Sequence, residues 1–313
     1  MKMRALLLVI VALIGFQQCG RTDHSGKPTI AVVMKTLNNP FFIDMQEGAQ
    51  AAAKSLGVEL VVQAPEREVD VEKQMQIIEN LIQRKVSAIC VAPSGSKEIV
   101  PAILKANQAK IPVIAIDTRV DRNAQAESGA DVLSFIGSDN MDGGRIAGEF
   151  VSEKLQGAGK VAILEGIPGH ETGDARLRGF REALDKHKGI TIVASQTANW
   201  ERDQGFNVFR NILQAHPDVK AVFACNDMMA LGAVEAIAAV GKKGKIVVVG
   251  FDAIKDSRAA IANGDMHASI AQHPEEMGRL AVETAFKAIN GQNVPTEIPV
   301  RIELITKDKL TAH

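Results

Sequence analysis

The residues of this chain that could do chemistry recur in one kind of place, directly after short apolar runs. Lys35 and Asn39, then Phe41 and Phe42, follow Thr29–Met34. Pro93 and Ser94 follow Ala88–Ala92, and Asp117, Thr118 and Arg119 follow Val113–Ile116. In the second half the same places hold Glu165, His170 and Asp174, then Asn199 and Trp200, then Asn226 and Asp227, then Asp252, and last Gln272. Carboxylates and planar amides can each engage adjacent hydroxyls, and an aromatic face suits the apolar C–H face of a sugar ring. The inventory reads as a surface for a polyhydroxylated small molecule.

It is poor in what enzymes need. No Ser or Cys stands beside a His in a nucleophile-elbow pattern, and no His, Cys and carboxylate group has metal-ligand spacing. Neither a G-x-x-x-x-G-K-[ST] loop nor a G-x-G-x-x-G turn follows the first strand, so a nucleotide has no cradle and no cofactor is expected. Asp139, Asn140 and Asp142 begin like a calcium loop, but position 150 is Phe where the closing Glu belongs, and N-capping of a helix over Gly143–Glu153 accounts for them better. Plainer roles stay open for several other residues. Asp227 and Asp252 each precede a helix and could cap it. Asn39 before Pro40 could start a turn, and His170 within Pro168–Gly173 could be a solvated loop histidine. Trp200 could plug a core, although the polar residues of Asn199–Asp203 favour a cleft.

What must position these groups is an alternation of strands and helices that begins at Pro28. Strands are expected at Thr29–Met34, Val58–Val62, Ala88–Ala92, Val113–Ile116 and Ser134–Ile136. The scheme then repeats with Lys160–Leu164, Thr191–Ala194, Ala221–Ala224, Ile246–Val249 and Ala268–Ile270. Phe42, Met45, Ala49, Ala52 and Leu56 mark one face of a helix over Phe41–Leu56. Further helices fall at Val71–Arg84, Pro101–Ala109, Ala175–Lys186, Gln204–Gln214, Met228–Val240, Ile254–Ala262 and Glu275–Ile289. Continuous apolar strands are buried on both faces, as in a parallel sheet between helix layers. Ten strands exceed one ordinary sheet, so the expected fold class is α/β with two doubly wound parallel-sheet lobes and a ligand cleft between them. In such sheets ligands sit beyond the carboxyl ends of the strands, where the candidate residues lie.

The 313 residues amount to about two domains, and 46% hydrophobic content supplies ample core. Lys plus Arg number 36 against 37 Asp plus Glu, which leaves no basic field for a nucleic acid. Lys2 and Arg4 precede a twelve-residue apolar run, Ala5 to Phe16, too short to span a bilayer and suited to an export signal. Cys19 closes it in the manner of a bacterial lipoprotein signal, where that Cys is acylated. Gln17 and Gln18 stand where small residues are usual, so a secretory signal or an uncleaved anchor stays open. The membrane is then met only through the N-terminus. Cys90 and Cys225 lie in apolar strands and read as buried free thiols.

The segment Lys35-Thr-Leu-Asn-Asn-Pro-Phe-Phe42 resembles the opening cleft loop of periplasmic pentose/hexose-binding proteins of the ribose-binding type. Ala221–Met229 (AVFACNDMM), Val247–Asp252 (VVVGFD) and Ala268–Pro274 (ASIAQHP) resemble that family's later cleft motifs, in order, from about Pro28 to Ile305. Lys35-Thr-Leu, Gly173-Asp-Ala-Arg176 and Ala198-Asn-Trp200 look more like the D-allose-binding branch than the ribose one. The resemblance implies a clamp with three crossovers, near Gly137–Asp139, Ala271–His273 and Val300–Ile302. Residues 1–27 then form the export signal and spacer, 28–138 plus 273–300 one lobe, and 139–272 plus 301–313 the other. It implies a monosaccharide stacked between Phe42 and Trp200, with Asn39, Asp117, Asn226, Asp252 and Gln272 on its hydroxyls. Lys35, Phe41, Thr118, Arg119, His170, Asp174 and Arg176 complete the implied site. Ribose binders carry an Arg directly after the first-lobe Asp, where this chain has Thr118 and then Arg119, and another where it has Asp174. The allose branch has an amide in place of His170 and an indole in place of Phe42. An aldohexose or pentose is the implied ligand class.

The implied function is a monomeric substrate-binding subunit that delivers sugar to the permease of an ABC importer, from the periplasm or the outer face of the cytoplasmic membrane. A sensory role, signalling to a chemoreceptor or a histidine kinase, would use the same closed lobes. Sugar-responsive repressors share the clamp but place a helix-turn-helix where this chain has its export signal.

Overall fold

The computed structural model describes residues 26–310, and the segment read above as an export signal, with Cys19, lies outside them. The first sheet contains β1 (Thr29–Val33), β2 (Glu59–Gln63), β3 (Ala88–Val91), β4 (Val113–Ile116) and β5 (Ser134–Gly137), joined later by β11 (Glu297–Pro299). Its order is β11-β5-β4-β3-β1-β2. The second contains β6 (Ala158–Glu165), β7 (Gly189–Thr197), β8 (Ala221–Ala224), β9 (Val247–Asp252), β10 (Ala268–Ala271) and β12 (Glu303–Thr306), in the order β12-β10-β9-β8-β6-β7. The two orders are the same pattern written twice. Pairing is parallel throughout except for β12, which runs antiparallel to β10 with Ala268 opposite Thr306. The fold class is thus α/β with two lobes of mainly parallel sheet.

Strand order reverses at β1, which pairs with β2 on one side and β3 on the other, Ile30 lying opposite both Leu60 and Ala88. The second sheet reverses at β6. Such switch points open a crevice at the strands' carboxyl ends. β3, β4, β5 and β8 are buried along their whole length, because helices cover both faces.

The helices show why the sequence takes this path. In α1 (Pro40–Leu56), Asn39 caps the start by accepting from the Phe41 N–H, Pro40 fixes the first turn, and Gly57 ends it at φ 69°. After the chain returns to the first sheet, α10 (Pro274–Ile289) lies against α1 with the backbones almost touching. A Cβ on Gly48 would come 1.9 Å from the Glu275 carbonyl oxygen, so only glycine fits. In the second lobe α5 (Asn140–Lys154) packs the same way on α6 (Glu171–Leu184), where a Cβ on Gly144 would lie 2.1 Å from the carbonyl oxygen of Arg176. That contact fixes the backbone of Arg176. As read from the sequence, Asp139 caps α5 through the Asp142 N–H.

Three features differ from the sequence reading. The edge strands β11 and β12 and the short helix α4 (Arg122–Ser128) are added, all half-exposed and therefore without a long apolar run. β9 runs on to Asp252, so that residue ends a strand instead of following it. Helix α6 begins at Glu171, four residues early, which moves Asp174 from the preceding loop onto its first turn. Among the described residues no helix is long and apolar enough to cross a membrane.

Candidate ligand-binding cleft

The loops at the two switch points face one another, and the inner cleft lies between them. From the first lobe come Lys35 and Asn39 after β1, Phe41 and Phe42 on the first turn of α1, and Asp117 after β4. The second lobe supplies Arg176 on α6, Trp200 after β7, Asn226 after β8, Asp252 ending β9 and Gln272 after β10. All ten are buried. Asp117, Trp200 and Asp252 hold φ of +62°, +68° and +110°, a region non-glycine residues seldom occupy. Each sits at or just beyond a strand end, and the left-handed turn swings its side chain into the cleft at a local cost of about 1–3 kcal/mol.

The charges on the two walls are arranged in parallel. On the first, Lys35 Nζ lies 2.9 Å from Asp117 Oδ2, and the Thr118 hydroxyl donates to the same carboxylate at 2.8 Å. Burial pushes the Asp117 carboxyl up, but Lys35 and Arg176 outweigh it and hold the group below the usual range, ionised at neutral pH. On the second wall, Gln272 Nε2 donates to Asp252 Oδ1 at 2.7 Å, with Arg176 Nη1 at 3.9 Å from that oxygen. Here burial wins over Arg176, and the Asp252 carboxyl is pushed well up. Arg176 itself is clamped by the Asn140 side chain at 2.8 Å and the Cys225 carbonyl at 2.6 Å, with its guanidinium 3.7 Å from the Phe251 ring centroid. Gln272 Oε1 is buried with no hydrogen-bond partner among the described residues. Such an acceptor is costly unless a donor reaches it.

Trp200 is 5% exposed. Its Nε1–H donates to His170 Nδ1 at 3.3 Å, and the Asn226 amide donates to its backbone carbonyl at 3.1 Å while capping the helix that follows. With Nδ1 accepting, the His170 proton sits on Nε2, directed at the backbone of Ser94 in the other lobe. Burial, aided by Lys35, lowers its pKa to about 3, so the imidazole is neutral. His170 is thus a buried brace behind the indole, and the solvated-loop reading fails. Nearby the Glu171 N–H donates to Ser96 Oγ at 3.2 Å, a second tie between the lobes. The walls meet closely, leaving about 20 Å³ between them, on the order of one water-sized probe. A ligand larger than a water molecule therefore enters only as the lobes part.

Four expected residues stay out of the lining: Thr118 and His170 stand behind Asp117 and Trp200, and two more point elsewhere. Arg119 pairs with Glu297 on β11 and lies over the Phe135 ring at 3.9 Å, because the residue after Thr118 turns to the sheet's outer edge. Asp174 is half-buried on α6 beside Arg178, outside the cleft lining. Asp227 is fully buried but caps nothing and stays out of the lining. Ser257, Ser269 and the Ile254 N–H all donate to it, which makes it a tie between α8 (Asp227–Ala239), the start of α9 (Lys255–Asn263) and β10. Cys90 and Cys225 are buried free thiols, pushed up to about 12 by burial. Among the described residues no group of acidic, His or Cys side chains is placed to hold a metal ion.

Glu68 and Thr172 line the cleft unforeseen. Glu68 lies in the loop after β2, a strand end like the others, so the same rule applied there would have found it. Burial raises its pKa to about 7, opposed by Lys35 and by the Asn39 amide 3.4 Å away.

A profile described as a periplasmic binding protein domain matches residues 30–293. The chain belongs to the periplasmic binding protein family. It is 40% identical to the ribose import binding protein RbsB of Salmonella typhimurium over 96% of this chain and 98% of that one. Identity to the D-allose-binding periplasmic protein of Escherichia coli is 36%, over 88% and 89% of the two chains. Among solved structures, an ABC transporter periplasmic solute binding protein of Actinobacillus succinogenes with bound D-allose superposes at a TM-score of 0.87, with 40% identity, covering 92% of this chain and all of that one. Identity over the whole chain thus does not single out the allose branch that the cleft motifs resemble.

Proposed function

We propose that this periplasmic binding protein clamps a monosaccharide, an aldohexose or pentose of the allose/ribose kind, and delivers it to the permease of an ABC importer. The observation that carries the reading is Gln272. Its Nε2 donates to Asp252 while its buried Oε1 has no donor among the described residues, on a wall that faces a second carboxylate across the cleft. Sugar hydroxyls are donors and acceptors at once, so they complete both Gln272 and the two carboxylates. Phe42 and Trp200 would cover the two ring faces. Asn39, Asn226, Lys35 and Arg176 supply the remaining polar contacts. The relatives named above for ribose and D-allose support the same ligand class.

In this reading the lobes are 28–138 with 273–300, and 139–272 with 301–313. They close as a monomer in the periplasm, tethered at most through Cys19. The test is a thermal-shift screen of the chain from about Gly26 against pentoses, hexoses, deoxysugars and inositols. A ligand at 100 times its Kd stabilises by about 2.7 kcal/mol, and a panel without any shift removes the sugar reading. Labelling with an alkyne fatty acid, in wild type and Cys19→Ser, decides the tether.

A further inference from the structure

Outside the inner cleft lies a second, larger cavity of about 450 Å³, within the size range of small-molecule sites. Both lobes wall it: Asn38 and Glu66 on one side, Asp203 and Met228 on the other. Asn39, Glu68 and Trp200 line both spaces and so form the partition between them. The partition can yield. The Asn39–Glu68 bond is long at 3.4 Å.

The lining selects by charge. Arg67 is taken by Glu201 at 2.8 Å and Arg202 by Glu235 at 2.6 Å. The carboxylates of Glu66 and Asp203 remain, with no ion pair among the described residues, beside the Glu68 carboxyl that accepts from Asn39. Free carboxylates accept from hydroxyls and repel anions, while Met228 and the Trp200 indole offer apolar contact. We propose that the outer cavity is a subsite for a neutral, hydroxyl-bearing substituent, such as a second sugar ring, attached to the sugar in the inner cleft. This rests on the reading of the inner cleft as a sugar site. The substituted sugar then touches both lobes twice, once in each space.

Calorimetric titration with D-allose and D-ribose, their methyl glycosides and terminal O-methyl ethers, a glucosyl derivative at each of the same oxygens, and the terminal phosphate esters tests it. At one oxygen or more, the methyl and glucosyl derivatives should bind within about tenfold of the parent sugar. The phosphate esters should bind at least about 100-fold more weakly than the parent. Met228→Trp, which fills the cavity from the second lobe, should weaken the glucosyl derivative by more than about tenfold and leave the parent sugar unchanged. Asn38→Trp does the same from the exposed opposite wall if the first variant folds poorly. Loss of every derivative beyond tenfold, with the parent sugars still bound, overturns the subsite and leaves the sugar reading standing. Phosphate esters that bind like the parent, or folded tryptophan variants that spare the glucosyl derivative, overturn it too. Failure of all parent sugars to bind removes the inner site, and the proposal with it.

Discussion

Lys35 and Asp117 meet at 2.9 Å with both side chains buried, one from the loop after β1 and the other from the end of β4, two strands away across the first sheet. A buried pair of this kind is costly to break singly, because the remaining charge has no partner. Asp117→Ala should therefore lose about 2–4 kcal/mol of sugar affinity and also about 3–5 kcal/mol of stability. The double variant Lys35→Met/Asp117→Ala should regain most of the stability and none of the affinity. Titration calorimetry beside denaturant unfolding separates the two effects. Unchanged affinity in Asp117→Ala would take the residue out of the site.

Trp200 is both wall and core. It lines the cleft, yet it is 5% exposed and so close to Gly166 that a Cβ there would lie 1.9 Å from the ring. Trp200→Ala should cost about 3–5 kcal/mol of stability and about 1–3 kcal/mol of affinity. Trp200→Phe should keep much of the affinity but forfeit the hydrogen bond to His170. The chain has one Trp and no Tyr, so emission reports this site alone. Addition of the sugar should shift or rescale that emission and saturate at one ligand per chain. An emission spectrum indifferent to a sugar that binds would place the indole away from the ligand.

Why some of this was legible in the sequence, and some not, follows from distance along the chain. Apolar runs such as Ala88–Val91 announce strands by composition, and the residue after a buried strand must face the crevice, which is how Asp117, Asn226 and Gln272 stand out. Asn39 was legible as a cleft residue, but its side chain proves to cap α1 where the sequence offered a turn. Arg119 was misplaced because its partner, Glu297, arrives 178 residues later on an edge strand with no apolar signature. Asp227 misled in the same way: Ser257 and Ser269, which claim it, come from other elements. The left-handed turns at Asp117, Trp200 and Asp252 are set by tertiary packing, and no residue type there predicts them.

The loop that carries Glu68 also carries a clasp. Arg67 meets Glu201 across the cleft mouth through Nε at 2.9 Å and Nη2 at 2.8 Å, and half of the Arg67 side chain is exposed. Exposed pairs contribute little to stability and are screened by salt. Arg67→Ala should thus leave the melting temperature nearly unchanged and raise the sugar's dissociation rate by about two- to fivefold at low ionic strength. The difference from wild type should shrink as salt rises toward 1 M, where screening acts over about 3 Å. Stopped-flow emission from Trp200 measures it. A salt-independent difference would mean that the variant disturbs packing instead of an ion pair.

Glu68 and His170 should give the protein two opposed pH dependences that variants can separate. The Glu68 carboxyl rises from 4.5 to about 7 through burial, so the folded state holds its proton more tightly than the unfolded chain. Stability from this group is fully present below pH 4.5 and is lost as pH rises to 7. His170 is lowered from 6.5 to about 3, again chiefly by burial, so the unfolded chain binds its proton more tightly. Its contribution is fully present above pH 6.5 and is lost as pH falls toward 3. Between pH 4.5 and 6.5 the two slopes oppose each other, and wild type should look flatter than either group alone. Glu68→Gln should gain stability over wild type as pH rises from 4.5 to 7 and hold the gain above it. His170→Gln should gain over wild type as pH falls from 6.5. Melting temperatures taken at intervals from pH 4 to 8 give the two difference curves, in which the titrations of Asp117, Asp227 and Asp252 cancel where the substitution leaves them unchanged. A flat difference curve for Glu68→Gln would mean that its carboxylate is solvated in the folded protein, and a flat curve for His170→Gln would mean that the imidazole is not sealed behind Trp200.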